Sequence, residues 1–429
     1  MKAAKRFREI TQTIGLVALA CVLMSPSSRA ASGDAAMVAR GAYLAKLGDC
    51  FACHSAPKGK PFAGGLAMTT PLGKIYTTNI TPDPETGIGR WSERDFEGAL
   101  RRGVSKDGHN LYPAMPYPSF AKVSDDDVAA LYAYFMKGVA PVHQSNRTSD
   151  IPFPLNMRWP LTAWNWVFLD KTVYQYKPGK DEAWNRGAYL IQGLGHCGSC
   201  HTPRGYGFQE KASDERNSAW LSGALIDGWY ASNLTGNQRV GLGSWSTQEI
   251  STFLKTGANG HATAFGSMTD VVNNSTQAMT DNDVDAISGY LKSLPDPSHA
   301  NVVPYVYNGT ATSATLTQPA TSAGAKVYTV YCMHCHAVDG KGVAPFLAPL
   351  AGNPNVLEGT PTSLISVTLN GTGALVIHGI PAPYPMPAFS KVLDDQQIAD
   401  VLTFVRSGWN NDAAAVAVSE VAKLRKPKN

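Results

Sequence analysis

Charge is scarce in this sequence. Asp, Glu, Lys and Arg make up 16% of its 429 residues, against an ordinary 44% of apolar residues. A disordered chain has the opposite balance, so the sequence reads as folded. Its length predicts roughly two to four domains. After Met24 no apolar run is long enough to span a bilayer. No acid–base pair, activated nucleophile or phosphate-cradling loop stands out, so no catalytic residue is assigned. A basic surface is lacking too. The net charge of +4 is accounted for by the first 30 residues, where Lys2, Lys5, Arg6, Arg8 and Arg29 face one acid, Glu9. The remainder is near neutral, which gives no reason to expect nucleic acid as a partner.

Those 30 residues read as an address. A basic start, an apolar run from Ile14 to Met24 and the small residues Ser28 and Ala30 form a secretory signal, with cleavage expected after Ala30. The alternatives are an uncleaved anchor, for which the run is short, and a lipoprotein cut before Cys21, where Ala18 stands in place of the usual Leu. Periplasmic export is the expectation, with a peripheral place on the inner membrane.

No cysteine beyond the leader stands alone. Cys21 leaves with the leader, and the other six form three C-x-x-C pairs, each followed by His: Cys50–Cys53–His54, Cys197–Cys200–His201 and Cys332–Cys335–His336. This is the pattern of c-type haem attachment. Thiols one helical turn apart reach the two vinyl groups on one haem edge, and the next side chain brings imidazole under the iron. A redox dithiol needs no following His, and a zinc site needs four gathered ligands. Three covalently bound haem c groups are therefore expected.

Each site lies in a larger repeat. Arg40-Gly41-Ala42-Tyr43-Leu44 precedes the first, and Arg186-Gly187-Ala188-Tyr189-Leu190 the second. Gly324, Val327 and Tyr328 precede the third more loosely. A Met in a Pro- or Gly-rich loop follows each site: Met115, Met268 and Met386. Helices with i, i+3, i+4, i+7 apolar spacing come next, behind Ser124-Asp125-Asp126-Asp127, Asp281-Asn282-Asp283 and Asp394-Asp395.

The repeat resembles the class I cytochrome c fold, and the fold expected is mainly α, three tandem class I cytochrome c domains. The resemblance implies that Met115, Met268 and Met386 are the sixth iron ligands opposite His54, His201 and His336. Met279 lies near Met268 as a rival. His109, His261 and His378 precede the three Met residues and keep bis-histidine ligation open as the competing chemistry. His196, His334, His143 and His299 read as solvated or supporting groups.

The expected layout is a leader over 1–30, haem units over 36–142, 181–298 and 319–411, linkers over 143–180 and 299–318, and a basic tail over 412–429. The first linker is rich in Trp and Pro, and reads either as a cap over haem edges or as a docking surface. The second, Thr-, Ser- and Ala-rich, is expected to be extended. The tail reads as a membrane contact or a frayed end.

Further residues narrow the resemblance: Asn79-Ile80-Thr81-Pro82-Asp83 with Trp91-Ser92, answered by Ser232-Asn233-Leu234-Thr235 with Trp245-Ser246, and the block from Arg158 to Trp166. Together they are similar to the triheme cytochrome c subunit of periplasmic membrane-bound dehydrogenases of the alcohol and gluconate 2-dehydrogenase type. That implies an electron-transfer subunit without its own substrate site. Its partner would be a dehydrogenase large subunit with a flavin, quinone-type or molybdenum cofactor. Electrons would leave to membrane ubiquinone or a terminal oxidase. A free-standing shuttle cytochrome and a haem peroxidase are the alternatives.

Overall fold

The computed structural model describes residues 26–226, 228–298, 302–317 and 322–425. Most of the expected leader, His299 and the last four residues lie outside them. The chain is mostly helical, and its few strands form two-stranded antiparallel hairpins.

Three stretches are built alike. The first has α1 (Pro26–Leu47), α2 (Cys50–His54), the hairpin β1 (Ala67–Thr70) and β2 (Gly73–Tyr76), α3 (Glu93–Arg102), α4 (Tyr117–Phe120) and α5 (Asp125–Ala133). A connecting helix α6 (Pro160–Phe168) leads to the second. That stretch has α7 (Glu182–Gln192), α8 (Gly198–His201), the hairpin β3 (Ala224–Ile226) and β4 (Trp229–Ala231), α9 (Thr247–Thr256), α10 (Ser267–Asn274) and α11 (Asp281–Lys292). After α12 (Thr310–Thr317) the third has α13 (Ala323–Tyr331), α14 (Met333–His336), α15 (Pro354–Leu357) and α16 (Thr362–Asn370). It ends with the hairpin β5 (Val376–Ile377) and β6 (Ile380–Pro381), α17 (Asp395–Ser407) and α18 (Val418–Arg425).

In each stretch the first long helix crosses the closing one (α5, α11 and α17) at a glycine. A Cβ on Gly41 would lie 1.9 Å from the Ala130 carbonyl oxygen, one on Gly187 2.1 Å from that of Ala286, and one on Gly324 2.2 Å from that of Asp400. Backbone meets backbone there, so no side chain fits. This is the physical content of the Arg-Gly-Ala-Tyr repeat and of the lone Gly324. The Trp-Ser motifs also repeat for a local reason. Ser92 and Ser246 cap α3 and α9 reciprocally with Asp95 and Glu249.

The first two stretches share one continuous core, in which Leu44, Leu47, Val128 and Leu131 join Leu190, Leu194, Val284 and Ile287. The third has its own core around Tyr328, Ile365, Leu402 and Trp409. It meets the second partly through hydroxyls, where Ser363 accepts from the Tyr230 N–H at 2.8 Å and Ser366 donates to the Gly228 carbonyl at 2.7 Å, and partly through an apolar contact of Leu375 with Ala264 and Val272.

Several sequence expectations change. The second linker is not extended throughout, because α12 forms in it. Leu316 buries against the third core, and the Thr312 hydroxyl accepts from the Trp409 N–H at 2.8 Å. The tail is docked as far as it is described. Val421 is fully buried, and Arg425 bonds to Asp395 at 2.5 Å and to the Leu393 carbonyl at 2.8 Å. Met268 lies in the first turn of α10 rather than in an irregular loop. Thr280, one residue before the acidic run, caps α11 by accepting from the Asp283 N–H.

Candidate haem-binding sites

Each C-x-x-C-H motif lies on one helical turn, in α2, at the start of α8 and in α14. No disulfide joins these cysteines. Burial pushes the thiols of Cys50, Cys197 and Cys332 up to about 12, and that of Cys53 up to about 11. An activated redox dithiol has the opposite shift, because its thiolate must be populated at neutral pH. Among the described residues no cluster of three or more His, Cys, Asp or Glu is gathered for a metal of the zinc type.

The three histidines are held identically. Nδ1 of His54 faces the Thr78 carbonyl at 2.7 Å, that of His201 the Ser232 carbonyl at 2.7 Å and that of His336 the Ala348 carbonyl at 2.8 Å. A carbonyl only accepts, so Nδ1 carries the proton and Nε2 presents its lone pair. Such an outer partner fixes the tautomer and ring direction of a metal-binding histidine. Burial lowers all three imidazole pKa values, and the carbonyl bonds only partly offset it. The rings therefore stay neutral, as ligands must. This donor set fits haem c.

Sequence reasoning missed the three carbonyls, although a signal was present. In the first two stretches the carbonyl residue stands directly before an Asn-x-Thr motif. Asn79 Oδ1 accepts from the Thr81 N–H at 2.9 Å and hydroxyl at 2.7 Å, and Asn233 accepts from the same groups of Thr235, both at 2.7 Å. The motif locks the loop that presents Thr78 or Ser232.

Each predicted methionine precedes a closing helix. Met115 packs on the shared core, and its N–H bonds the Tyr112 carbonyl at 3.2 Å. Met268 packs with Ala264, Val272 and, from the third stretch, Leu375. The Met386 N–H donates to the Thr372 hydroxyl at 2.8 Å. Met279 is buried in the shared core, as packing. Of the rival histidines, His109 pairs with Asp107 at 2.5 Å, and His261 stacks on Trp245 with Nε2 on Glu249 at 3.0 Å. His378 lines an open cleft of about 780 Å³ with Lys46, Phe51, Tyr134 and Gln277. His196, read as solvated or supporting, is partly buried between the first two stretches, edge-on to Phe120.

The Arg-Gly-Ala-Tyr repeat also builds a reciprocal clasp. Arg40 pairs with Asp127 of its own closing helix, and Arg186 with Asp283 of its own. The tyrosines cross over. Tyr43 donates to Asp283 at 2.5 Å, and Tyr189 donates to Asp127 at 2.6 Å. In return each phenol accepts a cap N–H, from Thr280 at 3.2 Å and from Ser124 at 3.1 Å. The two motifs thus face each other about a local pseudo-twofold. Cys53 and Cys200 come close enough that a charge on Cys200 helps to raise the Cys53 pKa, behind burial and Asp49.

The cytochrome c family model matches residues 38–138 and 321–409. The gluconate 2-dehydrogenase cytochrome c subunit of Pantoea cypripedii is 50% identical over 417 residues, covering 95% of this chain and 94% of that one. The cytochrome c subunit of alcohol dehydrogenase (quinone) from Gluconacetobacter polyoxogenes is 49% identical, over 91% of this chain and 85% of its own. The fructose dehydrogenase cytochrome subunit of Gluconobacter japonicus is 37% identical, over 92% and 84%. With this similarity running nearly end to end, and the histidine geometry in place, the chain belongs to the cytochrome c family, among the cytochrome c subunits of dehydrogenase complexes.

Proposed function

We propose that this chain is a triheme c-type subunit. It passes electrons from a periplasmic dehydrogenase to ubiquinone in the membrane or to a terminal oxidase. The observation that carries the reading is the threefold recurrence of one arrangement: a Cys pair and His on one turn, with the His Nδ1 on a backbone carbonyl. Haem c supplies one-electron chemistry when bound. Cys50 and Cys53, Cys197 and Cys200, and Cys332 and Cys335 hold it through thioethers. His54, His201 and His336 would hold the iron through Nε2, and Met115, Met268 and Met386 would supply thioether ligands. Thioether ligation favours the reduced iron and raises the potential.

The partner is a dehydrogenase large subunit with a flavin, quinone-type or molybdenum cofactor. Relatives are named for gluconate, alcohol, fructose and nicotinate dehydrogenases, and this spread supports a dehydrogenase partner without choosing its substrate. The chain works outside the cytoplasm, delivered by the leader over 1–30, and contributes no substrate site.

The test is haem reduction in native membranes with and without the gene. Ethanol, gluconate, sorbitol, fructose, acetaldehyde and nicotinate are added in turn, and the ferrous c-type band is followed. A band driven by one substrate and lost in the deletion is the expected result. Dithionite-reducible haem that answers to no substrate sinks these partners and favours a free-standing shuttle or a dehydrogenase for another substrate. A high-spin haem reacting with peroxide sinks it in favour of a peroxidase.

A further inference from the structure

Helix α6 is amphipathic the wrong way round. Trp159, Thr162, Ala163, Trp166 and Val167 follow i, i+3, i+4, i+7, i+8 spacing, the stripe by which a helix normally packs on its protein. Here all five are exposed. The buried residue is Asn165, which accepts from the Tyr117 hydroxyl at 2.7 Å. The inner side is anchored further by Trp164, whose indole N–H donates to the Gly207 carbonyl at 2.8 Å.

The apolar face continues on both sides. Upstream, Phe153 is 79% exposed, and the segment is pinned where Arg158 stacks on Tyr112 at 3.8 Å. The adjoining loop brings Tyr206 and Phe208, next to Phe168. Tyr206 at 108% and Trp166 at 86% exposure project outward rather than line a groove. Residues 151–169 contain no acid and only one base, Arg158, and its guanidinium is engaged on Tyr112. Lys171 and Lys211 are exposed at the rim, and among the described residues neither is in an ion pair.

We propose that this face, centred on Trp159 and Trp166 and flanked by Phe153 and Tyr206, is the surface by which the chain lies on a phospholipid bilayer. The inference rests on the reading of the chain as a carrier working at the membrane. Projecting Trp, Tyr and Phe suit a fluid boundary that closes around each ring, with the apolar body among acyl chains and the polar edge among headgroups. A protein partner would call for pockets matched to those rings. The uncharged centre avoids the cost of burying ions, and the two rim lysines meet lipid phosphates. No described helix is long and apolar enough to cross a membrane, so attachment through this patch would be peripheral. The patch adjoins the loop that carries Met115, since the Tyr112 hydroxyl donates to the Leu155 carbonyl at 3.4 Å. Attachment would therefore bring the first haem unit towards the bilayer.

The experiment is vesicle flotation of the full-length holoprotein on phosphatidylcholine–phosphatidylglycerol liposomes. The variants are Phe153→Ser, Trp159→Ser and Trp166→Ser, singly and combined. None of these side chains is in a core, and an unchanged haem spectrum checks the fold. Expected are flotation of the wild type that survives high salt, and at least a tenfold loss in the triple variant. Brominated lipid should quench wild-type tryptophan fluorescence, and most of that quenching should vanish in Trp159→Ser/Trp166→Ser. Failure of the wild type to float, or equal flotation of the triple variant, overturns the proposal. So does a triple variant that floats normally but no longer copurifies with its dehydrogenase, which would make the face a protein dock. Haem reduction by the dehydrogenase in detergent is followed in parallel. It should be unaffected by the variants, and its absence in the wild type would sink the electron-transfer reading while leaving the vesicle result standing.

Discussion

Replacing Tyr43 and Tyr189 together by Phe removes the two crossed hydrogen bonds of the clasp and leaves ring packing in place. Each phenol donates to a carboxylate in a part-buried setting, at 2.5 Å and 2.6 Å. A hydrogen bond to a charged group contributes about 1.5–3 kcal/mol. The lower end applies, because Arg40 and Arg186 remain to satisfy Asp127 and Asp283. The double variant should thus weaken the junction of the first two stretches by about 3 kcal/mol, or about a hundredfold in its opening equilibrium. Hydrogen exchange reads this directly, since the Ser124 and Thr280 amides donate to the two phenols. Peptides spanning 124–128 and 280–284 should lose protection together, while 394–402 in the third stretch stays unchanged. The single variants should each expose both sites, because the clasp closes as a unit. Unchanged protection in the double variant would refute the reasoning, and the shared apolar core alone would then hold the junction.

The clasp also carries a pH signature. Burial raises the Asp283 pKa, but the bonds from Arg186 and Tyr43 outweigh it and hold it below the usual carboxylate range. Its stabilisation is therefore full above roughly pH 4 and lost as pH falls through the depressed folded value. Asp283→Asn should flatten the acid limb of an unfolding profile. Burial and Asp127 push Tyr189 up to about 12, so its share is present below pH ~10 and lost as pH rises towards that value. Gly187→Ala places a methyl group against the Ala286 carbonyl and should cost about 1–3 kcal/mol in overpacking, seen as a lower denaturant midpoint. Asn233→Ala should loosen the loop that presents the Ser232 carbonyl and shift a single haem potential in a redox titration, leaving the others in place. On the triheme reading, Cys332→Ala/Cys335→Ala should lower the covalent haem content by one third, read by protein mass and haemochrome absorbance.

The glycine crossings show how far local pattern reaches. Arg-Gly-Ala-Tyr is visible as a repeat, but that Gly41 and Gly187 admit a facing carbonyl appears only once the helices cross. Between the two roles that the sequence leaves open for His196, solvated or supporting, only the fold decides: it is partly buried against Phe120 because two stretches share a core. Met268 precedes its closing helix as the repeat predicts, but it lies in a helix rather than a loop, since α10 forms around it. The linker helix α12 was missed because its Thr-rich sequence has weak helical preference, and the contacts of Leu316 and Thr312 with the third core supply what propensity does not.

What the sequence determined by itself was the attachment pattern, since two cysteines and a histidine on a single turn are a local feature that five consecutive residues contain. The caps at Ser124 and Asp394 were legible for the same reason, lying three residues from their partners. The carbonyls that orient the histidines lie 24, 31 and 12 residues away. The crossed tyrosine bonds join residues 240 and 62 apart. Contacts at such separations depend on how helices pack rather than on any periodicity along the chain, so only the tertiary structure decided them.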